Sequence, residues 1–229
     1  MSKSRRESKT NRPIPEPTLR RLPWYLSYVK LLFASGKRYI SSTGIADGVG
    51  VEQSVVAKDL SCVNIQGRTR VGYLTHELIQ VLEVFLGFTQ THKAVLIGVG
   101  SLGSALLSDK GLQQFGLDIV AGFDIDPNIV GTYIGDIPIY HINELSSIKS
   151  KEEVNIAILT VPILQAQDTT DMLTQKGFSA IWNFTPVRIK APQHVVVQNT
   201  SMYAHLALIF TRMRERCNNS ALQSLDNNA

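Results

Sequence analysis

The chain has 229 residues, 44% of them hydrophobic and 18% charged, which allows two small globular domains with cores of their own. We expect no contact with a membrane and no secretion. No apolar run approaches the roughly 20 residues of a transmembrane helix, and no secretory segment follows the basic N-terminus. Two cysteines are too few for a disulfide framework or a structural zinc site, so we expect free thiols, no metal and a cytoplasmic protein.

The first part of the chain is basic. Residues 1–17 are rich in Ser, Arg and Pro, which predicts disorder, and we assign 1–13 as a tail outside the first domain. Residues 1–90 carry 13 Lys and Arg against 7 Asp and Glu, whereas residues 91–229 carry 10 against 12. This asymmetry suggests that the first half meets a polyanion, although the tail charges alone could serve solubility.

Three short helices are predicted after the tail. Apolar residues from Trp24 to Phe33 indicate a helix that begins at Pro23 and ends before Gly36. Ser41 or Ser42 caps a second helix through Asp47, and the turn 48–50 leads to a third helix over 51–61. Two helices joined by a glycine-containing turn are typical of a helix-turn-helix. The third helix is predicted to expose Gln53, Ser54, Ala57 and Lys58.

A β-hairpin is predicted over Val63–Leu74, with its turn at Gln66-Gly67. A hairpin beside a recognition helix is typical of a winged helix, which we assign to residues 14–88. A small helical packing module that binds no DNA remains the alternative. The candidate contacts to double-stranded operator DNA are Ser41, Ser42, Gln53, Ser54, Ala57, Lys58, Arg68, Arg70 and Tyr73. A further helix over 77–86, capped by Thr75 and ended by Gly87, precedes a boundary at 88–92.

A glycine-rich turn follows the apolar run Ala94–Ile97. The turn has G-x-G-x-x-G spacing at Gly98, Gly100 and Gly103, and a helix is predicted to begin at Ser104. A second apolar run, Leu117–Phe123, ends in an acidic segment. This order is typical of a dinucleotide-binding unit, in which the acid binds a ribose and favours NAD over NADP. Three packing glycines without a ligand would be the alternative. The candidate cofactor residues here are Gly98, Val99, Gly100, Ser101, Leu102, Gly103, Asp124, Ile125 and Asp126.

The rest of the chain alternates strands and helices. Strands are predicted over 137–140, 154–161, 180–182 and 195–198, with helices over 142–148 and 163–175. This pattern predicts a Rossmann-like parallel sheet over residues 91–200, followed by a helix over 201–216 and a tail over 217–229. Ligands bind at the carboxyl ends of such strands, so further cofactor candidates are Thr160, Val161, Pro162, Asn183, Phe184 and Pro186. Thr160 and Asn183 could equally cap turns.

Taken together, the motifs from about residue 13 to 216 resemble the Rex family of bacterial redox-sensing transcriptional repressors. They are IPEPTLRRLPWYL (14–26), VAKDLS (56–61), VGY (71–73), GVGSLGSAL (98–106), FDIDP (123–127), LTVP (159–162) and NFTP (183–186). The resemblance implies an α/β homodimer with an N-terminal winged helix, a C-terminal Rossmann-like domain and a final helix swapped onto the partner. It also implies binding of NADH and NAD+, no catalysis, association with the nucleoid, and release of operator DNA when NADH binds.

The sequence departs from the family pattern at three places. Relatives often have Arg-Lys-Asp where this chain has Ala57-Lys58-Asp59. Their wing often reads Gly-x-Arg-Gly-x-Gly-Tyr, whereas residues 67–73 place an arginine on each side of that position. Ser201-Met202 stands where many relatives carry an Asp followed by an aromatic residue. These departures concern the operator sequence and the redox discrimination.

Two enzymatic readings compete with a repressor. An NAD-dependent oxidoreductase with an N-terminal accessory domain needs an acid–base group near the nicotinamide. We expect the five histidines (His76, His92, His141, His194 and His205) to be structural or surface residues. The two predicted domains also leave no residues for a substrate domain. A nucleotide domain like that of CoA ligases shares the fold type but leaves the N-terminal half unexplained.

Overall fold

The structure is a computed structural model that describes the backbone of residues 14–226 and the side chains of residues 14–217. The tail predicted over 1–13 lies outside the described residues. The chain divides into two compact units between Gln90 and Thr91. Within the described part of the chain, no helix is both long and apolar enough to cross a membrane.

The N-terminal unit is a small helical domain with one two-stranded sheet. Strands β1 and β2 pair in antiparallel fashion, with Ile40 opposite Tyr73. In chain order its elements are α1 (Glu16–Ala34), β1 (Tyr39–Ile40), α2 (Ser42–Val49), α3 (Gln53–Cys62), β2 (Tyr73–Leu74) and α4 (Thr75–Leu86).

Helix α1 supplies one side of this unit's core. It begins at Glu16, seven residues before the predicted start, because a proline and an acid both suit a first helical turn. The predicted disorder of residues 1–17 is therefore wrong for its last two residues. The buried face of α1 comprises Leu22, Tyr25, Leu26 and Val29. Trp24 and Leu31, which the prediction placed on the apolar face, are 61% and 70% exposed.

The C-terminal unit is a seven-stranded sheet with helices, in the strand order β5-β6-β4-β3-β7-β8-β9. The pairings are parallel except at the edge, where β5 runs antiparallel to β6. Its strands are β3 (His92–Ile97), β4 (Leu117–Asp124), β5 (Tyr133–Ile134), β6 (Ile137–His141), β7 (Ile156–Leu159), β8 (Ala180–Asn183) and β9 (Val196–Asn199). Its helices are α5 (Ser101–Ser108), α6 (Gly111–Gln114), α7 (Leu145–Glu152), α8 (Ala166–Gln175) and α9 (Met202–Asp226), with 3₁₀ turns at Ile142–Glu144 and Ile163–Gln165.

The central strands are buried on both faces. Ala94, Val95, Leu96 and Ile97 of β3 are all buried, and alternate residues enter two separate apolar clusters. Continuous apolar runs are expected where layers cover both sides of a parallel sheet. The predicted Rossmann-like sheet is confirmed, and the edge strand β5 is an element that the sequence did not predict.

The final helix is longer than predicted. Helix α9 runs from Met202 to Asp226, so the boundary at residue 216 and the tail predicted from 217 are wrong through Asp226. A polar composition alone did not distinguish a helical continuation from a tail, because helices tolerate polar residues wherever no core must be covered.

Candidate functional site

The glycine turn joins β3 to α5, and its three glycines are present for different structural reasons. Gly98 has φ +94°, and a Cβ there would lie 2.9 Å from the Thr160 carbonyl carbon. A Cβ at Gly103 would lie 2.2 Å from the Gly98 carbonyl oxygen. A Cβ at Gly100 would meet no protein atom within 4 Å. Gly98 and Gly103 are thus required by packing, whereas Gly100 leaves space through which a ligand can approach the backbone.

Asp124 ends β4 and fastens the glycine turn. Its Oδ2 accepts a hydrogen bond from the Val99 N–H at 2.6 Å, and its Oδ1 accepts from the N–H groups of Ile125 and Asp126 at 2.7 and 3.0 Å. A carboxylate offers about four acceptor positions, so Oδ2 keeps capacity for one further donor. Asp124 can therefore hold the turn and accept a hydrogen bond from a ligand hydroxyl at once.

Thr160 holds the neighbouring strand end against the same turn. Its hydroxyl donates to the carbonyl oxygens of Gly98 at 2.7 Å and Ile97 at 3.1 Å. These bonds use its one hydroxyl proton within the fold. This agrees with the alternative that Thr160 serves the structure of a turn and not a ligand. Its position at the C-terminal end of β7 still makes it part of the wall of the site.

A cavity of about 470 Å³ opens at the carboxyl ends of β3, β4 and β7. This volume is in the usual range for ligand pockets, which span about 300–1,000 Å³. Seven predicted residues line it: Gly98, Gly100, Asp124, Ile125, Thr160, Val161 and Pro162. Five lining residues were not predicted: Ile97, Phe123, Ile142, Gln165 and Thr169. The two strand residues could have been found as neighbours of the strand ends. The others come from two 3₁₀ turns and from α8, and only the fold determines where these elements lie.

The other predicted cofactor residues do not line this cavity. They are Val99, Ser101, Leu102, Gly103, Asp126, Asn183, Phe184 and Pro186. Val99 and the α5 residues are close to it in the chain, because they form the glycine turn and the first turn of the helix that follows. The unpaired N–H groups of a helix N-terminus suit a phosphate, so the backbone there remains a candidate contact.

Asn183 has a structural role in the loop that follows β8. Its side chain is completely buried. Its amide donates to the Val187 carbonyl at 2.7 Å and to Asn199 Oδ1 at 2.9 Å, and its Oδ1 accepts from the N–H and hydroxyl of Thr185. The amide is therefore committed to shaping the loop, and a direct side-chain contact with a cofactor is not part of this geometry.

The exposed face of α3 is arranged as predicted. Gln53, Ser54, Ala57 and Lys58 are all exposed. A concave surface of about 370 Å³ lies between the start of α2 and the segment after α3, and its lining includes the predicted Ser41, Ser42, Gln53, Arg68, Arg70 and Tyr73. Ser41 caps α2, since its Oγ accepts from the Gly44 N–H at 3.0 Å. Tyr73 is half-buried, and burial raises the pKa of its hydroxyl.

The wing differs from the prediction in the position of its turn. The bridge joins Arg68 to Gly72, so the chain reverses over residues 69–71 and not at Gln66-Gly67. The strand Tyr73–Leu74 then pairs with β1 instead of with the segment before the turn. The reason is packing: a Cβ at Gly72 would lie 2.3 Å from the Ile40 carbonyl oxygen, so glycine is needed where the wing meets β1.

A buried carboxylate joins α3 to α1. Asp59 is 1% exposed. It accepts two hydrogen bonds from Arg21 at 2.7 and 2.9 Å, one from the Thr18 hydroxyl at 2.8 Å and one from the Tyr25 hydroxyl at 2.8 Å. Thr18 therefore lies inside α1 and binds Asp59. These bonds fix the helix that presents Lys58 against the core of the N-terminal unit.

The protonation of this Asp59 cluster is strongly constrained. Burial by itself would raise the pKa of Asp59, but the hydrogen bonds from Arg21, Thr18 and Tyr25 outweigh it and lower the pKa. Burial and the hydrogen bond to Asp59 raise the pKa of Tyr25 to about 12. The carboxylate is thus charged and the phenol neutral at ordinary pH.

The described residues offer little for metal or acid–base chemistry. No group of three or more His, Cys, Asp or Glu side chains in this part of the chain could hold a metal ion. His141 is the last residue of β6 and precedes Ile142, which lines the cavity, but its Nδ1 accepts a hydrogen bond from the Asn143 N–H and so caps the 3₁₀ turn. The site offers a ligand the backbone of the glycine turn, apolar walls and the Asp124 carboxylate.

Comparisons with known proteins match both units. Residues 13–61 match the family described as "Putative DNA-binding protein N-terminus", and residues 89–187 match the family described as "CoA binding domain". The "Redox-sensing transcriptional repressor Rex" of Bacteroides thetaiotaomicron is 59% identical over 200 residues, which cover 87% of this chain and 91% of that protein.

Solved structures of a protein called RSP, a Rex-family repressor, are similar over 93% of this chain. The complex of RSP with β-NAD+ and operator DNA is 29% identical, with a TM-score of 0.85 over 99% of that chain. The complex with β-NADH is 30% identical, with a TM-score of 0.82 over 100% of that chain. Both ligands and the DNA belong to those structures.

Proposed function

The chain belongs to the Rex family of redox-sensing transcriptional repressors, and we propose that it represses transcription by binding operator DNA and releases that DNA when it binds NADH. One observation carries this proposal. The same chain holds a dinucleotide-sized cavity at a glycine turn and, in its other unit, an exposed helix face flanked by a basic wing. An enzyme would need only the first of these.

The fit of NAD(H) rests on Gly100 and Asp124. The open space at Gly100 lets the backbone of the turn and the N-terminus of α5 approach a pyrophosphate. Asp124 Oδ2 has acceptor capacity left for a ribose hydroxyl. Apolar walls from Ile125, Ile142 and Val161 suit the flat faces of an adenine ring. A 2′-phosphate would meet the carboxylate of Asp124, so NAD(H) is preferred to NADP(H).

Binding of double-stranded DNA rests on the N-terminal unit. Lys58 projects from the exposed face of α3, and Arg68 and Arg70 project from the wing beside the N-terminus of α2. Cations in such positions neutralise phosphates, while Gln53 and Ser54 at the start of α3 can reach base edges in a major groove. A protein that binds DNA in this way acts at the nucleoid, in the cytoplasm.

The proposed assembly is a homodimer with the final helix swapped. Helix α9 exposes Tyr203, Leu206, Ile209 and Phe210, which are 64%, 43%, 51% and 58% exposed. Contiguous apolar surface on a helix generally requires a partner surface. A second copy of the chain supplies one, and its two recognition helices would then face successive major grooves of a symmetric operator.

The redox response follows from charge. The oxidised nicotinamide ring is cationic and the reduced ring is neutral, so an apolar enclosure completed by the partner's final helix costs less for the neutral ring. A preference of roughly 100-fold corresponds to about 2.7 kcal/mol, which lies within the usual range of allosteric coupling. NADH then stabilises a dimer in which the recognition helices no longer match the operator.

The experiment that tests this function is a titration of labelled operator DNA in parallel with NADH and with NAD+. The operator is first selected from random duplexes by the wild-type chain. We expect tight binding without nucleotide, little change with NAD+, and weakened binding with NADH. Equal binding under all three conditions would rule out a redox sensor, and turnover of NADH with a substrate would favour an oxidoreductase.

A further inference from the structure

The tip of the wing is a tight turn with an unusual residue in it. The Val71 N–H donates to the Arg68 carbonyl at 3.1 Å, and Arg68 and Gly72 exchange two backbone hydrogen bonds of 2.7 and 2.8 Å. Arg70 is the third residue of this turn, and its φ is +65°. A positive φ at the third position of a turn favours Gly or Asn, because a Cβ crowds the backbone in the left-handed region.

Other left-handed residues in the described chain have ordinary explanations. Asn64 is of a type that tolerates positive φ, and Glu153 ends α7, where left-handed caps are common. Gly72, with φ +90°, is a glycine in the same turn. Arg70 alone places a long side chain in the left-handed region of a surface turn.

The Arg70 side chain does nothing for the fold that could offset this strain. It is exposed, and no other described residue accepts a hydrogen bond or forms an ion pair with its guanidinium. It borders the concave surface that also contains Arg68 and the start of α2. Backbone strain that no interaction within the fold offsets is typical of a functional position.

We propose that Arg70 is held in a strained conformation at the wing tip because its guanidinium binds a DNA phosphate, so that the wing gives up stability for affinity. The inference rests on the proposed function, since it requires DNA as the ligand. It goes further by assigning a cost in stability to one contact residue. It also distinguishes Arg70 from Arg68, whose backbone is unstrained.

The test compares Arg70→Asn and Arg70→Gly with the wild type. Both substitutions remove the charge and relieve the strain. We expect the melting temperature to rise by about 4 °C or more, as expected for a small domain that gains about 1 kcal/mol. Affinity should fall by about tenfold for both the selected operator and a random duplex, because a phosphate contact is independent of sequence. The slope of log K against log salt should decrease by about 0.9 for each wing bound.

Two further variants separate charge from strain. Arg70→Lys keeps both, so we expect its melting temperature and affinity to stay near those of the wild type. Arg68→Gln removes a charge without relieving strain, so affinity should fall while the melting temperature does not rise. Binding by the wild type tests the proposed function separately, since it does not depend on any Arg70 variant.

Each remaining outcome overturns the inference. A higher melting temperature with unchanged affinity would show that the strain serves no DNA contact. An unchanged melting temperature in both variants would show that the conformation of Arg70 costs no stability, and a lower one would show that its side chain supports the fold. A loss of affinity confined to the selected operator would show that Arg70 reads base edges and not a phosphate.

Discussion

At the scale of single residues, Gly100 and Gly103 show how one motif contains two kinds of glycine. The missing side chain of Gly103 makes room for the Gly98 carbonyl, so it serves the packing of α5 on β3. The missing side chain of Gly100 borders open space at the cavity. The two positions should therefore respond differently to substitution.

We predict that Gly100→Glu leaves folding intact and abolishes NADH binding. The carboxylate would occupy the approach to the turn and repel a pyrophosphate, and like charges in contact cost enough to lower affinity by at least about 100-fold. Calorimetric titration with NADH measures this. Ser108→Glu, with the same charge at the other end of α5, is the control and should bind normally. Gly103→Ala should instead lower the melting temperature, and unchanged NADH affinity in Gly100→Glu would refute the site assignment.

The Asp59 cluster predicts a dependence of stability on pH at both extremes. The pKa of Tyr25 is raised in the folded chain to about 12, so its contribution is complete below its ordinary pKa of about 10 and is lost as pH rises toward 12. The pKa of Asp59 is lowered, so its contribution is present above the ordinary value and is lost as pH falls through the folded value.

We predict that Tyr25→Phe removes much of the loss of stability between pH 10 and 12, which amounts to at most about 2–3 kcal/mol. Urea unfolding at a series of pH values measures it. Tyr28→Phe, on the same helix but outside the cluster, is the control. If the wild type and Tyr25→Phe lost stability in parallel above pH 10, the phenol would not be held neutral by its burial and its hydrogen bond to Asp59.

The sequence predicts some of these residues and not others for a physical reason. The glycine positions could be predicted from sequence because local backbone geometry, namely a turn or a close approach, favours glycine at each of them. The bonds of Asp124 to the Val99 N–H, and of Asn183 to Asn199, depend on strands that are distant in sequence. A polar residue at a strand end can therefore be found from sequence, but whether it faces a ligand or the fold cannot.

At the scale of elements, the predictions were most accurate where a strand is buried on both faces. β3, β4, β7 and β8 were found because continuous apolar runs are rare outside buried strands. Helix α1 was found with a buried face that was only partly right: Leu26 and Val29 are buried as predicted, but Trp24 and Leu31 are exposed. Apolar residues nearly surround this helix, and only packing selects Leu22 and Tyr25 for the core. The wing turn was misplaced because an arginine occupies the left-handed position where a glycine was expected.

We predict that a chain truncated before Ser201 is a monomer. Helix α9 carries exposed apolar residues at helical spacing, including Tyr203, Leu206 and Phe210, and the proposed swap buries them on a partner. Light scattering of the truncated and full-length chains measures the change. The double variant Leu206→Glu/Phe210→Glu should also be monomeric, whereas Thr211→Glu, a polar position on the same helix, should remain dimeric. A truncated chain that still dimerises would refute the swap.

At the scale of the whole molecule, the chain separates the two activities between its units. Lys58 and the wing arginines belong to the N-terminal unit, whereas the glycine turn and Asp124 belong to the C-terminal unit. No residue is shared by the two candidate sites. Any effect of NADH on DNA binding must then be transmitted from one unit to the other, for which the proposed dimer offers a route, and linkage fixes the size of the effect in both directions.

We predict that the two sites are separable but coupled. Lys58→Glu removes a cation and adds a repulsive charge on the exposed face of α3, so DNA binding should weaken strongly and its salt dependence should decrease. NADH affinity in the absence of DNA should equal that of the wild type, because the substitution lies in the other unit.

In the wild type, operator DNA must weaken NADH binding by the same factor by which NADH weakens operator binding. Paired titrations, DNA with and without NADH and NADH with and without DNA, measure both factors. Unequal factors would indicate a further equilibrium, such as dissociation of the dimer. If NADH left operator affinity unchanged, the chain would be a constitutive DNA-binding protein and not a sensor.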